Sequence, residues 1–280
     1  MRELDVSLIK DRIREMFIKM NYEMSVDMRN AICQAQCREE ADTAVSVLGD
    51  LLKNAEIALD RQIPMCQDTG MAVVFLYIGQ EVSLVGGFVG DAVNQGVREA
   101  YEEGYLRKSV VRSPIDRVNT KDNTPAVIHY EIVPGDKIRI VAAAKGFGSE
   151  NMSRLKMLNP SDGQAGVVNF IIETVKLAGS NPCPPMVVGV GLGGTMEKAA
   201  ILAKKALTRD VGEASPDPAT AELEAMILDK VNELGIGPQG FGGKTTAFAV
   251  NIEVFPTHIA GLPVAVNINC HASRHLEVEL

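Results

Sequence analysis

The hydrophobic period of this chain changes near Pro64, and that change constrains its fold more than any other feature. Before it, Ile9, Ile13, Met16, Phe17 and Met20 recur at spacings of three and four, which is one apolar stripe along a helix. Ser25 is placed as the N-cap of a second helix. After Glu39–Glu40 a third stripe (Ala44, Leu48, Leu51, Leu52, Ala55, Leu59) runs toward Pro64, which ends the helical pattern. Beyond it, MAVVFLYI (71–78) reads as a buried strand and GDAVNQGVREAYEEGYL as a helix. AVIHYEIVPGDKIRIVAAAKG reads as two strands around a Pro-Gly-Asp turn. GQAGVVNFIIETVKLAG is a helix, MVVGVGLGG a strand entering a glycine turn, and TMEKAAILAKKAL the helix that follows. The Pro-rich SPDPATAE (215–222) suits a loop leading into a helix cap, with the helix at 218–234. TTAFAVNIEVF and GLPVAVNIN are late strands, the second ending on Cys270. The expected class is α/β in the mixed α+β sense. A helical layer over residues 1–61 packs on a mixed-sheet body over 62–280, in one domain without repeats or linkers.

Composition narrows the function. Hydrophobic residues are 46% and charged residues 23%, ordinary for a soluble globular chain. A net charge of −8 gives no basic footprint for nucleic acid. No apolar run approaches the roughly 20 residues of a membrane span. The opening MRELDVSLIKDRIREMF is charged and amphipathic, unlike a secretory leader, so a cytoplasmic location is expected.

The five cysteines, at 33, 37, 66, 183 and 270, are an odd set with no leader, which argues against a disulfide framework. Cys33 and Cys37 are one helical turn apart with no further ligand near them, and read as packing residues. Cys66 (PMCQDTG), Cys183 (NPCPP) and Cys270 (NINCHAS) instead lie on irregular backbone beside Pro, Gly or Asn. Thiolates are the natural ligands of iron–sulfur clusters, and a set of three leaves one iron open to a substrate oxygen. The gaps of 117 and 87 residues match no local metal motif, so spacing alone also permits three ordinary buried cysteines.

Longer motifs add to this. CQDTG (66–70), LR (106–107), AKGFGSEN (144–151), NPCPP (181–185), LGIGPQGFGGKT (234–245) and PTHIAGLPVAVNINCHA (256–272) occur in the same order as in class I fumarate hydratases, and the chain resembles the cluster-bearing part of that family from about residue 50 onward. The resemblance implies a [4Fe–4S] cluster on Cys66, Cys183 and Cys270. It implies substrate contacts from Gln67, Arg107 and Gly148, and catalytic roles near the substrate hydroxyl for Asp68 and His258. The chemistry of these groups agrees: Arg107 offers a planar fork for a carboxylate, Asp68 an acceptor, and His258 a side chain that titrates near neutrality. Lys145 and Lys244, in glycine-rich loops, are secondary candidates for attracting an anion, and His271 for ordering the cluster from behind Cys270. In the family's single-chain form a further domain completes the pocket and supplies the C3 proton base. This chain reaches Leu280 soon after the third cysteine, so the resemblance implies the α-subunit of a two-subunit form. A separate β-subunit and pairing of two α–β units are then expected, with a fumarate/malate-type dicarboxylate as substrate.

Three other readings remain. L-tartrate dehydratase α-subunits share CQDTG and the Cys-Pro-Pro region, but tend to carry another cysteine in the loop that here reads GFGSENMSRLKMLNPSDG. Gly189-Val-Gly191-Leu-Gly193-Gly194 is a GxGxxG pattern between a strand and a helix, which fits an NAD-dependent oxidoreductase. Against it, Asp210 follows the helix with no second strand to carry it. A non-catalytic iron–sulfur scaffold would keep the cysteines and need no substrate-facing Arg107 or Asp68.

Overall fold

A computed structural model describes residues 1–280. In chain order the elements are β1 (Arg2–Asp5), α1 (Val6–Tyr22), α2 (Val26–Arg38), α3 (Asp42–Arg61), β2 (Met71–Gly79), β3 (Val82–Val85), α4 (Val89–Glu103), β4 (Val127–Val133) and β5 (Ile138–Lys145). There follow α5 (Phe147–Glu150), β6 (Arg154–Leu158), α6 (Gly163–Ala178), β7 (Met186–Gly193), α7 (Met196–Ala206), α8 (Pro218–Asn232), β8 (Ala247–Phe255), β9 (Leu262–Asn269) and β10 (His275–Glu279). The mixed α/β class expected from the sequence is the one observed. No helix is long and apolar enough to cross a membrane. The chain forms two compact units, each assembled from segments distant in sequence. The first holds Met1–Ser25, Asn54–Phe147 and Arg274–Leu280, the second Val26–Lys53 and Gly148–Ser273. Of the three N-terminal helices, α1 belongs to the first unit and α2 to the second, and α3 runs from the second into the first.

In the first unit a four-stranded sheet runs β10-β5-β2-β4. β2 pairs parallel with β4 and antiparallel with β5, so the two strands around the Pro-Gly-Asp turn are not partners; β2 lies between them. The alternation of strand side chains puts Ala72, Val74 and Leu76 of β2 and Ile138, Ile140 and Ala142 of β5 in one core with the stripes of α1 and α4. All five residues of the α1 stripe are buried, and Asp5 caps the helix by accepting from Ser7 N–H at 2.8 Å. On the other face of the sheet Phe75 stacks on His129 with centroids 4.9 Å apart, and the Arg139 guanidinium lies 3.9 Å over the Tyr77 ring. β1, parallel to β3, has one buried residue, Leu4, and is too short to announce itself by pattern.

The second unit has the sheet β6-β9-β7-β8. Val188 and Val190 of β7 face α6 and α8 in the larger core, while Ala199 and Ala203 of α7 pack with Ala265 in a smaller one. Gly189 and Gly191 take the alternate positions of β7. A Cβ on Gly189 would fall 2.3 Å from Ala203 O, and one on Gly191 1.9 Å from Ala199 O. These glycines let the α7 backbone lie directly on the strand. The first two glycines of the GxGxxG pattern therefore sit within β7 as helix-packing residues, not in a phosphate-binding turn.

Cys33 and Cys37, expected to pack inside, are exposed. The buried stripe of α2 is Met28, Ile32 and Ala35, and the helical period turns both thiols to its opposite face. Ser25 precedes α2 as expected, but its hydroxyl makes no hydrogen bond, so it does not cap the helix. The α8 cap is formed as expected: Asp217 accepts from Thr220 N–H at 2.9 Å, with Pro218 in the first turn.

Candidate active site

The sequence-predicted residues fall on two constellations, one in each unit. In the first unit Cys66 lies on the irregular segment between α3 and β2, partly exposed, with Gln67 exposed beside it. Asp68 accepts from Gly70 N–H through Oδ1 at 3.1 Å and from Phe147 N–H through Oδ2 at 2.8 Å. Gly70, at φ +78, could carry no side chain, because a Cβ there would meet the Ala144–Lys145 backbone at 2.8 Å. Thr69, 1% exposed, donates to the Arg107 carbonyl at 3.1 Å, so the CQDTG loop fixes the Arg107 backbone and leaves its side chain exposed. Tyr101 donates to the Thr69 and Gly70 carbonyls at 2.7 and 2.9 Å. Burial pushes its phenol above the usual range, Arg274 opposing and Asp68 adding, so it stays a neutral donor. Asn123, fully buried, accepts from Ser109 and Val110 N–H and donates to Gly70 O, tying the loop after Arg107 to the same turn.

In the second unit Cys183 is exposed at the mouth of a tight knot. Its φ of +54 is left-handed, costing roughly 1–2 kcal/mol for a residue with a Cβ. The neighbours that hold it are specific. Its carbonyl accepts from His271 N–H at 3.3 Å and lies 3.0 Å from His271 Nδ1, and Gln239 donates to Pro184 O from its backbone at 2.8 Å and from its side chain at 2.9 Å. His271 follows Cys270, which leaves the end of β9 partly exposed. Two cysteines 87 residues apart in sequence thus share one hydrogen-bonded frame. Gly148, in α5, is exposed, and a Cβ there would meet nothing closer than Asn181 O at 3.7 Å. The turn it occupies is moored by Glu150, whose Oε2 is 2.5 Å from Lys204 Nζ and accepts from Asn267 at 2.9 Å. Burial pulls the Lys204 ammonium below its usual range, against Glu150. His258 is exposed in the turn between β8 and β9. Its Nδ1 accepts from Ala260 N–H at 3.2 Å, which assigns the proton to an outward Nε2.

Neither secondary lysine is free for an anion. Lys145 is 2% exposed and donates to Gly146 O at 3.0 Å, and Lys244 Nζ is 2.5 Å from Glu40 on the surface. Gln239, Glu39, Asn123, Asn21 and Arg274 support the two constellations and went unnoticed in the sequence. For Gln239 and Glu39 a signal existed, since one lies inside LGIGPQGFGGKT and the other accepts from Lys244 and Thr245 N–H at the end of that motif. The other three act through contacts too distant in sequence to leave a pattern.

No disulfide joins any of the five cysteines, and no group of three or more His, Cys, Asp or Glu is assembled to hold a single metal ion. An iron–sulfur cluster is ligated at separate irons, each by its own thiolate, so its cysteines need not converge on one point. Cys66 in the first unit and Cys183 and Cys270 in the second each offer the thiol donor that such a group takes. All three stand outside any disulfide, at least partly exposed, on irregular backbone.

The profile described as Fumarate hydratase (Fumerase) matches residues 10–279. A Methanocaldococcus jannaschii protein named putative L(+)-tartrate dehydratase subunit alpha is 43% identical over 273 residues, covering 95% of each chain. The L(+)-tartrate dehydratase subunit alpha of Escherichia coli strain UTI89 is 35% identical over 255 residues, 90% of this chain and 84% of that one; its K12 counterpart is 34% identical over the same span. These matches define an enzyme of the hydro-lyase class. The chain belongs to the class I fumarate hydratase family, in which fumarases and tartrate dehydratase α-subunits stand together.

Proposed function

We propose that this chain is the cluster-carrying α-subunit of a two-subunit hydro-lyase that interconverts malate and fumarate. Cys66, Cys183 and Cys270 are the ligands of a [4Fe–4S] cluster, a separate β-subunit completes the active site, and two α–β units pair. The observation that carries the reading is the Cys183–His271 frame, a left-handed cysteine whose carbonyl meets His271 twice and whose neighbour Pro184 is held twice by Gln239, with Cys270 directly before His271. When bound, such a cluster supplies an open iron position, a Lewis acid toward a C–O bond. The chain's own residues orient the substrate. The Arg107 guanidinium grips one carboxylate through its fork, and Gln67 and the Gly148 N–H hold the remaining carboxylate oxygens, turning binding into alignment. The His258 Nε2–H donates to the departing hydroxyl, and Asp68 steadies that oxygen within the network set by Gly70 and Phe147. The C3 proton leaves to a base on the β-subunit, and hydration is the reverse.

A second substrate, L-tartrate, is favoured by the names of the E. coli and M. jannaschii relatives. It differs from malate by one C3 hydroxyl, so the two readings share every residue above. The test begins with iron and acid-labile sulfide in the anaerobically reconstituted chain, beside Cys66→Ser, Cys183→Ser and Cys270→Ser. The reading requires about four irons in the parent and loss of the cluster in each variant. An iron-free parent, or serines without effect, overturns it. Adding the β-subunit and comparing L-malate with L-tartrate then assigns the substrate by the larger kcat/KM.

A further inference from the structure

Cys66 is bracketed from both sides by one buried pair that the proposed mechanism does not use. On its N-terminal side Met65 N–H donates to Asn21 O at 2.9 Å; on its C-terminal side Asp68 O accepts from Arg274 Nη2 at 2.8 Å. Arg274 closes the bracket by donating from Nη1 to Asn21 Oδ1, also at 2.8 Å. Asn21 is fully buried and Arg274 is 4% exposed. The pair is itself anchored: Asn21 donates to Phe17 O of α1 at 2.8 Å, and Ala144 N–H of β5 donates to Arg274 O at 3.1 Å.

The charge of Arg274 is as unusual as its position. A buried guanidinium is ordinarily matched by a carboxylate, because taking an unpaired charge out of water is costly. No carboxylate forms an ion pair with Arg274, its Nε donates to nothing in the chain, and both fixed acceptors are neutral oxygens. Asp68, the nearby acid, directs its oxygens to the Gly70 and Phe147 amides. The guanidinium therefore lies behind the loop that carries Cys66, Gln67 and Asp68 as a buried positive charge hydrogen-bonded to no carboxylate.

We propose that Arg274 is a positioning residue of this enzyme. With Asn21 it clamps the Cys66–Asp68 segment, setting how the Cys66 sulfur and the Gln67 and Asp68 side chains are presented, and its positive charge, bonded to no carboxylate, favours an anionic substrate group on that side. The inference rests on the proposed roles of Cys66, Gln67 and Asp68.

The experiment uses the reconstituted α–β holoenzyme with Arg274→Gln, Arg274→Lys and Asn21→Ala, measuring kcat, KM for the dicarboxylate, iron content and the electron paramagnetic resonance signal of the reduced cluster. Gln removes clamp and charge, so kcat should fall roughly 100-fold and KM rise roughly tenfold. Lys keeps the charge without the fork, so kcat should fall while KM stays within about threefold. Asn21→Ala leaves the charge and frees the fork, giving a weaker loss confined to kcat, and all three should shift the cluster signal at undiminished iron. Variants with the parent's kcat and cluster signal would overturn the clamp, and Lys raising KM as much as Gln would overturn the charge. If the Arg274 variants fail to fold, Asn21→Ala decides, unchanged kcat and signal refuting the proposal. An iron-free or inactive parent would instead count against the proposed function.

Discussion

His271 Nδ1 lies 3.0 Å from both the Cys183 carbonyl and the Gln239 side-chain nitrogen. Protonated, this nitrogen donates to the carbonyl; unprotonated, it accepts from Gln239. In either state one imidazole joins the segment before β7 to the segment after β9. His271→Ala should destabilise the chain by about 1 kcal/mol, the net worth of such a bond, and lower the iron retained after reconstitution. Thermal denaturation and iron analysis read the two effects; a full iron complement with an unchanged midpoint would separate His271 from the Cys183 frame.

Thr69 offers a milder perturbation. Thr69→Val nearly preserves volume but leaves the Arg107 carbonyl without its 3.1 Å donor. Looser placement of the Arg107 guanidinium should raise KM roughly three- to tenfold with kcat and iron content little changed. Steady-state kinetics of the α–β complex measure this, and a fall in kcat alone would contradict it.

The glycines of β7 predict a contrast. Gly191→Ala drives a Cβ to 1.9 Å from Ala199 O, against backbone that cannot yield, and should cost about 3 kcal/mol or more through overpacking. Gly148→Ala meets only Asn181 O at 3.7 Å and should leave the urea midpoint nearly unchanged while impairing activity. Equal stabilities for the two variants would remove the packing explanation of the GxGxxG pattern.

Asp122 gives a pH dependence. Burial works to raise its pKa, but hydrogen bonds from the Thr124 backbone and side chain and from Arg98, together with the Arg98 charge, outweigh it and hold the group at about 2. A carboxyl lowered on folding stabilises the native state above its unfolded pKa, near 3.8, and loses that contribution as pH falls toward 2. Asp122→Asn should therefore lower the urea midpoint at pH 6 and above, with the deficit shrinking as pH drops below about 4. A deficit independent of pH would assign Asp122 a purely steric role.

What the sequence determined by itself is local. The three-and-four spacing of Ile9 to Met20 is enough to place α1 and its buried face, because a helix closes its hydrogen bonds within a few residues. MAVVFLYI marks β2 because a continuous apolar run of strand length is itself a local signal of burial on both faces, and the cysteine-bearing motifs, each a few residues long, are readable together with the family they resemble. Tertiary structure decided everything that depends on distant partners. Strand order is one case: β4 and β5 flank a turn but each bonds to β2, since cross-strand hydrogen bonds ignore proximity in sequence. The exposure of Cys33 and Cys37 is another, set by which face of α2 meets the rest of its unit. Arg274 is the clearest: it lies 253 residues from Asn21 and 206 from Asp68, and only the folded chain brings its guanidinium to both, where burial gives a single charge its weight.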